Sequence, residues 1–290
     1  MGPLIRLFTP RHPFFLRQSL IFLFFFISGC VSAPSHESRV QHAEHLTSAA
    51  NWQKLSLPTS DFVLMTYLPQ KSHKADTLTI YLEGDGLAWV TRSTPSTDPT
   101  PKKPIGLELA LQHPNDNVAY LARPCQFVTG DDKRGCSKTV WTDGRFSEQV
   151  IRASNEAIDM LKEHFGSQYL RLIGFSGGGA VAVLAASQRS DVSQLITVAG
   201  NLDHQAWTAM HRVTPLTNSL NPADVWQSVV HIPQLHFIGE KDFIVSRKVA
   251  ESYQSKFPEE QKPELKIISE MSHSCCWAEQ WNELSGYWLQ

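Results

Sequence analysis

Three residues of the types that can together carry out nucleophilic catalysis stand next to short apolar runs in this sequence. Ser176 lies in a G-x-S-x-G pattern at 174–178, Asp242 follows the apolar run 235–238, and His273 follows the run 265–268. A serine hydroxyl is a poor nucleophile until a base removes its proton, and a third group must orient that base. The set therefore predicts Ser176 as nucleophile, His273 as base and Asp242 as the orienting acid.

The glycines around Ser176 predict a sharp turn from a strand into a helix. Such a turn needs neighbours without side chains, because its backbone is strained and two chain segments approach closely. An apolar strand at 169–174 precedes the serine and an alanine-rich segment follows it, as this turn requires. The alternative is a phosphate-binding turn. Neither G-x-G-x-x-G nor Gly-Lys-Ser/Thr follows, which disfavours it.

The elements that must position these side chains alternate between strands and helices from about residue 60. The pattern predicts strands at 62–67, 78–82, 118–122, 169–174, 194–199, 234–238 and 265–269, with helices at 147–165, 177–189 and 246–256. This alternation indicates an α/β fold with a mostly parallel central sheet and helices on both faces. Function is then expected beyond the carboxyl ends of the strands.

Two segments interrupt this alternation. Residues 91–104 contain four prolines, which predicts a long stiff loop that borders the site. Residues 200–230 have room for one or two short helices but not for a large cap. The absence of a large lid disfavours a true long-chain lipase. The sequence contains no internal repeat.

The chain from about residue 60 to its end resembles the α/β-hydrolase superfamily. The resemblance rests on the order Ser176, Asp242, His273, each following a strand. It implies hydrolysis of an ester, thioester or amide through an acyl-enzyme, with no cofactor and no metal. The acid stays open between Asp242 and Asp203, because Asp203 also follows a strand and some superfamily members carry the acid there.

The oxyanion of such a reaction needs two preplaced N–H donors, and the first is expected from Gly177, the residue after the nucleophile. The second is expected from the loop after the 78–82 strand, where this chain has Glu83-Gly84-Asp85-Gly86 in place of the superfamily's common His-Gly. The donor stays open between Asp85 and Gly86, with Asp85 favoured. A metal site at Glu83 and Asp85 is disfavoured, because no nearby histidine or cysteine completes a ligand set.

A substrate pocket is expected close to these loops. Gly86, Trp89 and Trp141 lie near the predicted site and are candidates for its lining, although core packing is an equally good reading of each tryptophan. The expected substrate is a small-molecule or lipid-like ester. With 19% charged residues and a formal net charge of -2, the chain has no basic surface of the kind that binds nucleic acid.

The amino-terminal residues 1–29 predict an export signal. Basic residues precede the apolar run 20–27, which is too short for the roughly 20 residues of a membrane-spanning helix. The sequence Ile27-Ser28-Gly29-Cys30 resembles the lipobox of bacterial lipoproteins, which implies that Cys30 is lipid-modified and anchors the chain to a membrane, with the outer membrane favoured. Residues 30–57 are then expected as a flexible tether and 58–290 as one catalytic domain.

Export would place the remaining cysteines in an oxidising compartment. Cys125 and Cys136 flank a turn-rich stretch and are the preferred disulfide pair, whereas the adjacent Cys275 and Cys276 leave the connectivity open. Four free thiols are the alternative.

Two other functions remain compatible with the sequence. The fold could bind a ligand or partner without catalysis, or the same three residues could serve a peptidase or an acyltransferase. The sequence does not decide the oligomeric state.

Overall fold

The computed structural model describes Gly2 and residues 33–72, 74–115 and 117–289. An eight-stranded sheet forms the centre of the unit that begins at Ala33. Its strands are β1 (Trp52–Pro58), β2 (Val63–Pro69), β3 (Thr77–Leu82), β4 (Val118–Leu121), β5 (Tyr169–Phe175), β6 (Val192–Val198), β7 (Gln234–Gly239) and β8 (Glu264–Ile268). The spatial order is β1-β2-β4-β3-β5-β6-β7-β8. Strand β2 runs antiparallel to β1 and β4, and the pairs from β4 onward are parallel.

Helices connect the strands. They are α1 (His36–Ala49), α2 (Ile105–Leu111), α3 (Lys138–Trp141), α4 (Glu148–Phe165), α5 (Gly177–Ala186), α6 (His204–His211), α7 (Trp226–Val229), α8 (Arg247–Gln254) and α9 (Trp277–Leu284). Helix α4 shows how the sequence sets such bounds. The Ser147 hydroxyl accepts from the Val150 N–H at its start, and Gly166 ends it with φ of 66°.

The core consists of two apolar clusters, one on each face of the sheet. Alternate side chains of β3 divide between them: Ile80 and Leu82 pack with α4 and α5, whereas Tyr81 packs with α2 and α9. Helix α5 is apolar on all sides, and every one of its residues is buried. The expected mostly parallel sheet with helices on both faces is thereby confirmed.

Residues 36–58 differ from the flexible tether that the sequence analysis predicted. They form α1 and β1, and β1 pairs with β2 along its whole length. Helix α1 has almost no amphipathic pattern, so periodicity could not reveal it. Its position depends instead on contacts distant in sequence, including hydrogen bonds from the Arg39 guanidinium to the carbonyls of Asp98 and Thr100.

The predicted signal sequence and Cys30 lie outside the described residues. Within the described residues, no helix is both long enough and apolar enough to cross a membrane.

Candidate functional site

The turn from β5 into α5 brings Ser176 to the carboxyl edge of the sheet. Ser176 has φ of 51° and ψ of -119°, a backbone conformation that is unfavourable for a residue with a side chain. A Cβ on Gly174 would lie 2.2 Å from the Gly178 carbonyl oxygen, and one on Gly178 would lie 2.3 Å from that of Leu82. Both glycines are therefore required by close backbone approach, which is the reason given for them from sequence.

The His273 ring lies between Ser176 and Asp242. Its Nε2 is 3.0 Å from Ser176 Oγ, and its Nδ1 is 2.8 Å from Asp242 Oδ2. Asp242 is buried, and its other oxygen accepts the backbone N–H groups of Ile244 and Val245, both at 2.8 Å. With one oxygen fixed by backbone donors, the second is held toward His273. An imidazole that donates Nδ1–H to this carboxylate presents Nε2 as an acceptor to the serine.

Asp203, the alternative acid, has a different environment. It caps helix α6 by accepting the N–H groups of Gln205 and Ala206, and its second oxygen accepts the Ser252 hydroxyl at 2.6 Å. The structure therefore brings Asp242, and not Asp203, within hydrogen-bond distance of His273.

The segment that carries His273 is fixed by the start of α9. The Trp277 indole N–H lies within hydrogen-bond distance of the carbonyl oxygens of Ser272 and His273, at 3.0 and 3.2 Å. Cys275 and Cys276, whose pairing the sequence left open, are bonded to each other in this segment. Trp277 is buried, so the anchor of the histidine segment lies in the core.

The loop after β3 supplies N–H groups near the nucleophile. Gly84 lies against Ser176, since a Cβ on Gly84 would be 3.3 Å from the Ser176 Cβ. The Glu83 carboxylate accepts the Gly84 N–H, and the Gln126 amide donates to the Gly84 carbonyl at 3.0 Å. In a trans peptide the N–H points opposite to the C=O, so Gln126 also fixes the direction of the Asp85 N–H. Among the described residues no acceptor takes that N–H.

Gly177 lies next to Asp85 at the start of α5. Gly177 is the first residue of α5, where a backbone N–H has no partner within the helix. A Cβ on Gly177 would lie 2.0 Å from Asp85 Oδ1, so the absence of a side chain at 177 admits the loop. Gly86 has φ of 63°, and a Cβ there would lie 2.0 Å from the Pro99 carbonyl oxygen. The two expected donors, Gly177 and Asp85, are thus adjacent.

The charge of Asp85 is neutralised by two arginines. Its carboxylate lies 2.5 Å from Arg145 Nη1 and 3.3 Å from Arg123 Nη1. Burial alone would raise the pKa of the Asp85 carboxyl, but the charges and hydrogen bonds of Arg145 and Arg123 outweigh it and hold that pKa below its usual value. A carboxylate beside an oxyanion site is therefore compensated by buried cations.

Glu83 is the other carboxyl of this loop, and it is buried. It accepts the N–H of Gly84 at 2.9 Å and, from the start of α2, those of Gly106 at 3.2 Å and Leu107 at 3.4 Å. Burial raises the pKa of Glu83 to about 7 against the effect of these backbone donors. The side chain ties the loop after β3 to the end of the proline-rich segment.

A cavity of about 420 Å³ opens over Ser176 and His273. Gly86 and Trp89 line it, as expected from sequence, together with Leu87, Ala88, Pro101, Lys102, Lys103, Ile105, Arg145, Phe175, Asn201, Trp207, Ile244, Val245 and Ser274. Trp141 does not line this cavity. It is buried in the core, and its indole N–H donates to the Ser96 carbonyl, so it supports the proline-rich segment from beneath.

Sequence reasoning missed several side chains around this cavity. Arg123, Arg145 and Gln126 belong to no motif, and they reach the loop only through the folding of distant segments. One signal was present: an aspartate expected beside an oxyanion site requires a cation to neutralise it. Asn201 also lines the cavity, and its buried Oδ1 has no hydrogen-bond partner among the described residues.

Cys125 and Cys136, the preferred disulfide pair, are bonded to each other in the structure. Cys125 lies between Arg123 and Gln126, so the disulfide closes the segment that supports the loop after β3. The described residues contain no group of three or more histidine, cysteine, aspartate and glutamate side chains placed to hold a metal ion.

Comparison with known proteins relates the chain to hydrolases. A family model described as serine hydrolase (FSH1) matches residues 116–269, just over half of the chain. No curated protein matches the sequence at a significant level.

Several solved structures share the fold. An α/β serine hydrolase homologue from Coxiella burnetii has 15% identity and a TM-score of 0.53 over 81% of this chain and 94% of its own. An esterase from Pyrococcus furiosus has 16% identity and a TM-score of 0.56, with coverage of 85% and 93%. The naproxen esterase of Bacillus subtilis has 10% identity and a TM-score of 0.54, with coverage of 89% and 100%.

Proposed function

Since this chain belongs to the FSH1 family of serine hydrolases, we propose that it cleaves a carboxylic ester or thioester through an acyl-enzyme on Ser176. The observation that carries the proposal is the His273 ring, which lies within hydrogen-bond distance of both the Ser176 hydroxyl and the Asp242 carboxylate. This arrangement allows one base to take the serine proton while the acid holds the ring in the required tautomer.

In the first half of the reaction, Ser176 Oγ attacks the substrate carbonyl carbon and His273 Nε2 accepts the hydroxyl proton. The carbonyl oxygen becomes an oxyanion, which the N–H groups of Gly177 and Asp85 stabilise. The carbon–oxygen or carbon–sulfur bond to the leaving group then breaks. His273 gives its proton to the departing alcohol or thiol, which leaves the acyl group on Ser176.

In the second half, a water molecule attacks the acyl-enzyme. His273 accepts a proton from that water and returns it to Ser176 as the carboxylic acid departs. Asp242 keeps its hydrogen bond to Nδ1 throughout and stabilises the imidazolium form. No step requires a metal or a cofactor.

Labelling with a fluorophosphonate tests the nucleophile. We expect modification of Ser176 in the folded wild-type protein and none in Ser176→Ala. A panel of chromogenic esters of increasing acyl length then defines the preferred acyl group. Matched thioesters and amides define the leaving group, and a competing alcohol distinguishes hydrolysis from acyl transfer. Folded wild-type protein that leaves Ser176 unlabelled would overturn the proposal.

We also propose that the protein is exported and held at a membrane by a lipid on Cys30. The apolar run 20–27 followed by Ser28-Gly29-Cys30 supports this, as does the Cys125–Cys136 disulfide, because such bonds persist in oxidising compartments. Metabolic labelling with a fatty acid should mark the wild-type chain and not Cys30→Ala. Equal labelling of both chains would exclude Cys30 as the modified residue.

A further inference from the structure

Large apolar side chains are exposed around the mouth of the cavity. Phe243 is 82% exposed and Ile244 is 53% exposed in the loop after β7, and Val90 is 56% exposed in the loop after β3. Trp89 and Met210 are also exposed. We call these five residues the mouth patch. Exposed apolar groups scattered singly are ordinary, but a group of them around a pocket indicates an interaction surface.

The mouth patch joins different segments at one cavity. Trp89 and Ile244 both line it. The Ile244 carbonyl accepts the Trp207 indole N–H at 2.7 Å, and the Met210 sulfur lies 3.1 Å from the Ser246 hydroxyl. Helix α6 is therefore fastened to the loop that carries Phe243.

Phe243 is exposed because of the turn that also holds Asp242. Asp242 accepts the N–H groups of Ile244 and Val245, which forms a tight turn with Phe243 at its tip. Asp242 is also the residue that orients His273. The turn that positions the acid therefore directs an apolar ring into solvent, where it has nothing to pack against in the described structure.

Cations accompany the mouth patch. Lys102 and Lys103 line the cavity, and Arg92 lies in the exposed segment that follows Val90. Lys103 pairs with Glu108 at 3.4 Å, whereas Lys102 and Arg92 form no ion pair within the described part of the chain. The charge of Asp85, which lines the cavity, is balanced by two arginines. Apolar side chains flanked by free cations match the surface of an anionic lipid layer.

Helix α1 begins close to the proline-rich segment that contains Lys102. His36, at the start of α1, lies 2.9 Å from Asp98 in the proline-rich stretch that continues to Lys102. Residues 31–35 alone separate His36 from Cys30, the proposed lipid site. Five residues would therefore connect a lipid at Cys30 to the helix that contacts this stretch.

We propose that the mouth patch docks on an anionic lipid surface, so that the cavity takes its ester substrate directly from the bilayer. This inference rests on the proposed hydrolase function. It specifies the substrate class as an ester whose acyl or alcohol part is embedded in lipid, which departs from the sequence-based expectation that disfavoured a true long-chain lipase. Phe243 and Val90 enter the layer, while Lys102 and Arg92 face the anionic headgroups.

The test compares one fluorogenic leaving group in two forms: a short-chain ester dissolved in water, and a long-chain ester embedded in vesicles of phosphatidylcholine with phosphatidylglycerol. The full chain is used throughout, so each variant carries the same amino terminus. Phe243 and Val90 do not line the cavity, so the double variant Phe243→Ser, Val90→Ser should keep its fluorophosphonate labelling and its rate on the soluble ester. Its rate on the vesicle-bound ester should fall about tenfold or more, because apolar burial in the lipid is lost.

Tyr169→Ser is the matched control. Tyr169 is also about half exposed, but it starts β5 at the amino edge of the sheet, away from the cavity. This variant should change neither rate. Vesicles of phosphatidylcholine alone should lower the wild-type rate, because the cations then lack anionic partners.

Failure of the docking proposal and failure of the hydrolase proposal give different results. The docking proposal is wrong if the double variant hydrolyses the vesicle-bound ester at the wild-type rate. It is also wrong if the wild type hydrolyses that ester equally fast in neutral and in anionic vesicles, although the enzyme then still works. A wild-type dimer that dissociates in the double variant, seen by light scattering, would assign the patch to a second copy and would also overturn it. Loss of Ser176 labelling and soluble-ester hydrolysis in the wild type would instead contradict the hydrolase function.

Discussion

Two turns meet at the nucleophile, and they are held in different ways. The turn at Ser176 is stabilised locally: Gly174 and Gly178 let backbone segments approach where any Cβ would collide. The loop after β3 is stabilised from a distance. Glu83 is buried against the start of α2, and Asp85 is paired with Arg123 and Arg145. The first turn depends on steric exclusion, whereas the second depends on compensated charge, so the two should fail differently when mutated.

A substitution in the turn at Ser176 should give the largest loss of stability. We expect Gly174→Ala to lower the free energy of unfolding by at least about 3 kcal/mol, because the new Cβ would lie 2.2 Å from a backbone oxygen that cannot move aside. Urea denaturation measures the change. The control is Gly166→Ala, where φ is 66° but nothing lies within 4 Å, so only about 1 kcal/mol should be lost. Equal losses in the two variants would contradict the view that close backbone approach at Gly174 determines the turn.

A substitution in the loop after β3, which we call the charged loop, should give the second-largest loss of stability. Asp85→Asn removes the charge that neutralises Arg123 and Arg145, both of which are buried. Leaving two buried cations without an anionic partner should cost about 3 kcal/mol of unfolding free energy and should also lower kcat, because the Asp85 N–H moves with the loop. Removing one cation in the double variant Asp85→Asn, Arg123→Met should restore part of the stability.

A double-mutant cycle on these chains quantifies that coupling. Additive losses from Asp85→Asn and Arg123→Met would mean that the two side chains act independently, and the loop would then not be held by compensated charge.

The difference between the turns also explains what the sequence could predict. The glycine pattern around Ser176 is contiguous, and Asp242 and His273 each follow an apolar strand, so local reasoning named Ser176 and His273 and favoured Asp242 over Asp203. The structure brings Asp242 to His273. The fold class followed from the same alternation of strands and helices.

The supports of the charged loop could not be found in this way. Arg123 and Arg145 lie 38 and 60 residues from Asp85 in sequence, and only the folded chain brings them near it. Helix α1 was missed for a related reason, because Arg39 anchors it to carbonyls of the proline-rich segment rather than through an apolar stripe. Two readings were given for Trp141 from sequence, pocket lining and core packing, and the structure shows core packing.

Glu83 makes the second turn dependent on pH. The pKa of this buried carboxyl is raised to about 7 in the folded protein, above its ordinary value of 4.5. The folded state therefore binds this proton more tightly than the unfolded state does. The contribution of Glu83 to stability is fully present below about pH 4.5 and is lost as the pH rises to about 7, by up to about 3 kcal/mol.

Glu83→Gln removes this titration. Urea denaturation of both chains at pH 5 and pH 8 should show that the wild type loses more stability than the variant across this interval. Because the comparison is between two pH values, a constant cost of the amide cancels. Gly166 ends α4, and a Cβ there would have nothing within 4 Å, so Gly166→Ala should follow the wild-type pH dependence. Parallel pH profiles of wild type and Glu83→Gln would contradict the assignment.

Removing the Cys125–Cys136 disulfide tests whether the bond holds the folded loop in place or only restricts the unfolded chain. The bond spans 11 residues of sequence, so replacing both cysteines by serine should lower the free energy of unfolding by about 2–3 kcal/mol, mainly because the unfolded chain gains freedom. The folded segment keeps its own hydrogen bonds: the Arg123 N–H donates to the Gln126 side chain at 3.1 Å, and the Phe127 N–H donates to the Thr100 hydroxyl at 2.9 Å. The direction of the Asp85 N–H depends on Gln126, so kcat on a soluble ester should change less than about twofold while the variant remains folded. A tenfold loss of kcat without unfolding would instead mean that the charged loop needs a covalent support, which the glycine-based turn at Ser176 does without.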